Sequence, residues 1–191
     1  GTLQNETGSV RFDGRALDGF AAHQRTRMGL ARSFQLPRAF ASLCLLDNIR
    51  IPLLYTVAAR GAVNSVHEIE GRCADLLHEV GLESKARQLP RDLTQVEMRK
   101  LELARAMASE PKLLIADESM AGLTHSEIEE ILTLLVRLNE RGVTIILIEH
   151  IMRAVMSFSR RIVVLVSGHK IADGKPDDVM RDPEVEKAYL G

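Results

Sequence analysis

Two apolar segments, each closing on ionisable side chains, constrain this chain more than anything else in it. They are Leu113-Leu114-Ile115-Ala116-Asp117-Glu118 and Thr144-Ile145-Ile146-Leu147-Ile148-Glu149-His150. Between them, Thr124-His125-Ser126-Glu127 reads as a capping box, in which a hydroxyl and a carboxylate three residues apart satisfy the first free amides of a helix. Ile128, Ile131, Leu132, Leu135 and Leu138 then recur at three- and four-residue steps, and Gly142 supplies the stop. Strand, amphipathic helix, strand predicts a parallel βαβ unit that sets both strand ends side by side. Those ends lie at the carboxyl edge of the sheet, where open parallel sheets bind ligands. The fold class expected is therefore α/β, a mostly parallel sheet flanked by helices. The two longest aliphatic runs, Ile145 to Ile148 and Ile162 to Val166, are expected to be buried strands.

Around this unit, Ser9 to Asp13 alternates like a strand and ends at Gly14. Asp18 to Met28 reads as a short helix and Gly29 to Phe34 as a second strand. Gln35-Leu36-Pro37 breaks that strand, because Pro37 pushes the residue before it out of helical geometry. From Leu45 to about Leu89 the pattern is helical, with Val66, Ile69, Cys73, Leu76, Leu77 and Val80 on one face and Gly81 as a stop. A second capping box, Thr94-Gln95-Val96-Glu97, opens a helix that ends before Pro111. A mostly helical insertion, about 45–108, is thus expected within a single α/β domain spanning 1–191. Ile151 to Arg160 predicts a helix and Arg161 to Val166 a strand. Gly168-His169 then turns into Lys170 to Gly174, an antiparallel hairpin.

Composition removes several classes of function. No apolar run approaches the roughly 18 residues of a membrane-spanning helix. Lys and Arg number 25 against 26 Asp and Glu, a net charge of -1, so no basic footprint for nucleic acid exists. Cys44 and Cys73 form no CxxC pair and imply neither a zinc site nor a disulfide framework, a usage that fits a reducing cytoplasm. Gly1 to Asn5 shows neither the positive nor the apolar region of a secretory signal.

The ionisable residues suggest phosphate chemistry. In nucleotide hydrolases, an acid at a strand end reaches a magnesium ion and its neighbour orients or deprotonates water, roles that Asp117 and Glu118 are placed to take. His150, at the adjacent strand end, could touch a γ-phosphate and that water. The helix start at Thr94 offers free amides and a hydroxyl to an anion. Each has a plainer alternative: two solvated acids, an exposed or capping histidine, and a threonine and a glutamate that merely cap. The adjacency of the two strand ends weighs against coincidence.

In order and spacing, Gln35, the helical insertion, Leu93 to Ala106, Leu113 to Glu118, Ala121-Gly122-Leu123 and Glu149-His150 resemble the ATP-binding cassette (ABC) ATPases across essentially the whole chain. The resemblance implies an ABC-type domain with an antiparallel β portion, using ATP and Mg2+. Gln35 corresponds to the Q-loop glutamine, near the magnesium and linking nucleotide to membrane partner. Thr94, Gln95, Val96 and Glu97 fall in the ABC motif, Asp117 and Glu118 form the Walker B pair, Gly122 lies in the D-loop and His150 is the switch histidine. Glu118 would then be the general base, Asp117 the magnesium ligand and His150 the γ-phosphate sensor. Implied partners are the transmembrane permease subunits of an importer and a second ABC ATPase subunit, with no nucleic acid. The implied location is cytoplasmic, peripheral on the inner face of the cell membrane. His150 to Met156 and Asp182 to Gly191 resemble the ATPases of branched-chain amino-acid importers.

The departures are specific. None of Lys85, Lys100, Lys112, Lys170, Lys175 and Lys187 is followed by Ser or Thr, so no G-x-x-x-x-G-K-[ST] phosphate loop is present. The segment therefore reads as a truncated cassette, expected to bind MgATP poorly and to be inactive alone. Val96 stands where the family has glycine, crowding the helix amides. Thr94 for Ser, Ser119-Met120 for Pro-Thr and His125 for Pro are milder. An alternative from another class, a non-catalytic docking or dimerisation module, draws on Val96 and the missing loop, whereas intact Glu118 and His150 oppose it. A soluble ABC ATPase acting on nucleic acid or ribosomes would be expected to carry paired cassettes or basic extensions. Finally, Phe40, Leu43 and Leu45, rimmed by Arg32, Arg38 and Asp47, are expected to line a groove for a permease helix.

Overall fold

A computed structural model describes residues 7–33, 37–61 and 65–190, in two compact units, 1–148 and 149–191. In the first, β1 (Arg11–Phe12) and β2 (Arg15–Ala16) form an antiparallel hairpin. Asp13 and Gly14 both take positive φ, 50° and 77°, so the expected single strand is cut short by an Asp-Gly turn. Helix α1 (Ala22–Arg27) starts later than the expected Asp18, because Gly19 is left-handed and Ala21 is extended at the N-cap.

Strands β3 (Leu30–Ser33), β4 (Leu113–Asp117) and β5 (Thr144–Ile148) make a parallel sheet in the order β3-β4-β5. Ile115 faces Arg32 on one side and Ile146 on the other, and Asp117 pairs with Ile148. Helix α5 (His125–Glu140) makes the crossover from β4 to β5, burying Ile131 and Leu135 completely. The expectation that β5 is buried on both faces is corrected: Ile146 and Ile148, on one face, are 47% and 48% exposed. Only the alternate face, with Ile145 and Leu147, is turned inward.

Helices α2 (Leu45–Thr56), α3 (Val66–Glu79) and α4 (Gln95–Met107) pack together, and α4 also lies against β3 and α5. Leu45, Ile49 and Leu53 of α2, Cys73 and Leu77 of α3, and Leu101, Leu103 and Ala104 of α4 are sealed from water. Burying a side chain of this size contributes about 1.5–3 kcal/mol. Burial also pushes the Cys73 thiol up to about 11, so it behaves as a small apolar side chain. Val66 departs from the expected face at 72% exposure. It is the first helical residue after the cap, where the Ser65 hydroxyl accepts the Glu68 amide, and it points away from the packing surface.

The second unit comprises α6 (Met152–Phe158), β6 (Ile162–Val166), β7 (His169–Gly174), α7 (Pro176–Met180) and α8 (Pro183–Leu190). Ser167 and Gly168 turn β6 antiparallel onto β7, as expected. The small core is Ile162, Ala172, Val179 and Val185, with Val155 and Met156 against it. Arg161 grips Asp173 through two bonds of 2.7 and 2.9 Å and Lys170 adds a third, holding that carboxyl far below the usual carboxylate range. The second expected buried run is also corrected. Val163 and Leu165 are 47% and 65% exposed, since the core meets only the other face of β6. Among the described residues, no helix is long and apolar enough to cross a membrane.

Candidate functional site

Asp117 ends β4 with its side chain mostly buried and ion-paired to Arg32 on the neighbouring strand. Glu118 leaves the strand at φ +46°, a left-handed conformation uncommon outside glycine, and is half-buried. Its amide donates to the carbonyl of Ile148 at 2.9 Å, tying the ends of β4 and β5 together. Ser119 and Met120 behind it are buried at 3% and 0%, so the uncommon Met120 fills core space. The βαβ expectation thus holds in register: the two strand ends are neighbours. His150 follows Ile148 by two residues, is exposed, and opens the second unit ahead of α6. Gln35 lies outside the described residues.

At the start of α4, Thr94 is extended and caps the helix. Its hydroxyl accepts the Glu97 amide at 3.4 Å, and the Glu97 carboxylate accepts the Thr94 amide at 3.0 Å. Lys85 reaches the same carboxylate at 2.7 Å. These bonds, the lysine's first, lower the Glu97 pKa below the ordinary glutamate range. The capping role foreseen as the plainer alternative is therefore real for both side chains. Val96 is half-buried beside them. Gln95 reaches the other way: its Nε2 donates to the carbonyl of Ala121 at 3.1 Å. Gly122, at φ +78°, presents its bare Cα to that amide, and a Cβ there would stand 2.5 Å from Nε2. The two stretches matched to the ABC motif and the D-loop meet within one chain.

The loop after Gln35 is built by residues outside it. Glu102 of α4, 5% exposed, accepts the Arg38 amide at 3.0 Å, and Arg105 donates to the Arg38 carbonyl at 2.8 Å. The Arg105 guanidinium also sits 4.9 Å from the centre of the Phe40 ring. Asn48, fully buried, accepts the Phe40 amide at 2.8 Å and donates to the carbonyls of Phe40, Leu43 and Cys44. Phe40 stays 41% exposed and Leu43 half-buried, but Leu45 is 0% exposed and belongs to the core, which corrects the expected groove lining. As the first residue of α2, Leu45 is turned inward while its amide binds Gln88. Asp47 is engaged by Arg50 at 2.7 Å rather than standing free on a rim.

Sequence reasoning missed Arg32 as a neighbour of the acids, although a cation on the strand beside Asp117 was available as a signal. It also missed Asn48, Glu102 and Arg105, which carry no periodic signature. Among the described residues, no group of three or more His, Cys, Asp or Glu could hold a metal by itself. Magnesium is usually held by one or two carboxylates plus phosphate oxygens and water. The single Asp117 carboxylate fits that manner of binding, with Arg32 as its competitor.

Comparison with known proteins bears on the family and the fold. The family profile described as "ABC transporter" matches residues 1–121, and that of "Branched-chain amino acid ATP-binding cassette transporter" matches 169–191. The chain is 35% identical to the high-affinity branched-chain amino acid transport ATP-binding protein BraF of Pseudomonas aeruginosa, covering 100% of this chain and 79% of BraF. It is 34% identical to LivG of Escherichia coli, described in the same words, over 96% of this chain and 76% of LivG. A nucleotide-free ATP-binding cassette from an ABC transporter superposes with a TM-score of 0.84 at 23% identity, over 99% of this chain and 79% of that one. A dimeric cassette bound to ADP and Pi superposes with a TM-score of 0.79 at 25% identity, over 90% and 74%. The chain belongs to the ABC transporter ATP-binding family and is related to the ATPase subunits of branched-chain amino acid transporters.

Proposed function

We propose that this chain is an ATP-hydrolysing subunit of an importer for branched-chain amino acids or related small solutes. It couples ATP-driven pairing of two such subunits to transport, docked on permease subunits at the inner face of the cell membrane. The observation that carries the proposal is the pairing of the β4 and β5 ends, with Asp117 opposite Ile148 and the Glu118 amide bonded to Ile148. Greater identity to BraF and LivG than to the lipopolysaccharide export protein LptB of Escherichia coli, at 27%, supports the solute class.

In this reading, Asp117 would hold Mg2+, which would supply positive charge beside the phosphates. Arg32, on the same Asp117 carboxylate, would share it with that cation. Glu118 accepts the proton of the attacking water, and its fixed backbone keeps the carboxylate aimed without reorganisation. His150 senses the γ-phosphate, and Gln35 links nucleotide to permease. The segment Thr94–Glu97, with Gly122, faces the nucleotide held by the second subunit. Val96 crowds that approach. Accordingly, with a phosphate loop joined ahead of this segment, Val96→Gly in the assembled transporter should raise ATPase activity or ATP-driven pairing, despite a helix cost of up to about 1 kcal/mol. An unchanged or lower rate with normal folding would show that the valine is accommodated.

Docking is tested at Phe40. Its ring is 41% exposed and its backbone is pinned by Asn48, so Phe40→Asp should leave the melting temperature within a few degrees. Co-purification with the permease subunits should nevertheless be lost. Normal co-purification, or a large fall in melting temperature, would return Phe40 to the core and remove this loop from the docking surface.

A further inference from the structure

The turn that carries Glu118 is fastened at three points. The Glu118 amide bonds to Ile148 at 2.9 Å, Met120 is sealed in the core at 0% exposure, and the far arm is held at the Ala121 carbonyl. The first two fastenings come from the sheet and the core beneath it. The third comes from elsewhere, since Gln95 is the first residue of α4. Gly122 leaves room for that exposed side chain, since a Cβ there would stand 2.5 Å from Nε2 and the end of the Gln95 side chain would have to shift. The Gln95 side chain takes no part in capping α4, where Thr94 and Glu97 each accept the other's amide.

We propose that Gln95 is a positioning residue for Glu118: its amide bolts the start of α4 to the acid-bearing turn, so that the helix and the turn move as one body. The proposal rests on the reading of Glu118 as the general base. A displacement imposed on residues 94–97 is then passed to the turn through one donor and one carbonyl. The chemistry of the bolt is specific. A glutamine amide can donate to a carbonyl, whereas a glutamate of the same size is acceptor-only when ionised and would set its charge against the Ala121 oxygen. Yet glutamate at a helix N-terminus is favourable for the helix itself. Gln95→Glu therefore separates positioning from helix stability, and Gln95→Lys restores a donor.

The test is ATP hydrolysis by the assembled transporter, its subunit carrying a phosphate loop joined ahead of this segment, with Gln95→Glu, Gln95→Lys or Glu118→Gln, and thermal melting alongside. Gln95→Glu is expected to lower kcat about tenfold, the scale of one lost hydrogen bond expressed at the transition state, with a smaller rise in KM for ATP from its charge near the partner's nucleotide. Its melting temperature should not fall, and Gln95→Lys should recover most of kcat. If Gln95→Glu stays within about twofold of the parent while Glu118→Gln is inactive, the bolt is idle and Glu118 stands as the base. A loss shared equally by Gln95→Lys also overturns the proposal, because a donor then fails to rescue. Parental hydrolysis by Glu118→Gln would instead remove the base assignment on which the proposal rests.

Discussion

Glu118→Gln, in a transporter whose subunit carries a phosphate loop joined ahead of this segment, should nearly abolish ATP hydrolysis while leaving ATP binding and thermal stability close to the parent. Removal of a general base commonly costs about 10²–10⁴-fold. The substitution keeps the side chain's size and removes its ability to take a proton at neutral pH. The backbone of residue 118 is held by its own amide and by buried Met120, neither of which the change touches. Binding should therefore be spared, and nucleotide-driven pairing of subunits should persist longer than in the parent. Steady-state hydrolysis and equilibrium nucleotide binding, measured on one preparation, decide it. Hydrolysis within a few-fold of the parent would place the base elsewhere.

The second large effect is expected on stability, at Asn48. Its side chain is fully buried and, among the described residues, bonds to the loop before α2: the Phe40 amide at 2.8 Å and the carbonyls of Phe40, Leu43 and Cys44 at 3.1, 2.9 and 3.1 Å. Asn48→Ala takes this partner from the Phe40 amide and the Leu43 carbonyl together, while the Phe40 and Cys44 carbonyls keep the backbone amides of Leu43 and Asn48. Each group left unsatisfied costs about 1–3 kcal/mol, so a total of roughly 3–4 kcal/mol is expected after partial relaxation. For a domain of this size that corresponds to a fall of about 10 °C in melting temperature. Asn48→Asp should be no better, because a carboxylate can accept from Phe40 but cannot donate to three carbonyls. A loss under about 1 kcal/mol by urea denaturation for Asn48→Ala would mean that the loop holds its path without this residue.

What could be seen in the sequence was what is local and periodic. The β4–α5–β5 unit was legible because apolar strands flank a helix with a clean three-and-four spacing between a capping box and a glycine. The hairpin of β6 and β7 announced itself through Gly168. The Asp13-Gly14 turn carried an equally good signal, yet the alternation of Ser9 to Asp13 masked it, and a strand was expected where a hairpin exists. Aliphatic content alone misjudged Ile146, Ile148, Val163 and Leu165, since composition reports what a residue prefers and not which face meets a partner. Of the site, the strand-end acids and the capped start of α4 were accessible. The Arg32 pair, the Gln95 contact and the clasp of Glu102 and Arg105 were not, because each joins residues far apart in sequence and requires the tertiary fold to exist first.

That clasp has a consequence for how such a surface can change over generations. Glu102 and Arg105 hold the two peptide groups of Arg38, and Asn48 holds those of Phe40. In every case the loop contributes main chain and the helices contribute side chains. The main-chain path of the loop is thus held by residues that are not in it, while of its own side chains Phe40 meets Arg105 and Leu43 is half-buried. Substitutions at 38 to 43 can alter shape and charge toward a neighbour without redrawing the backbone. If this loop is where the permease docks, a change of permease would need edits to a few outward side chains, while Asn48, Glu102 and Arg105 would stay as they are.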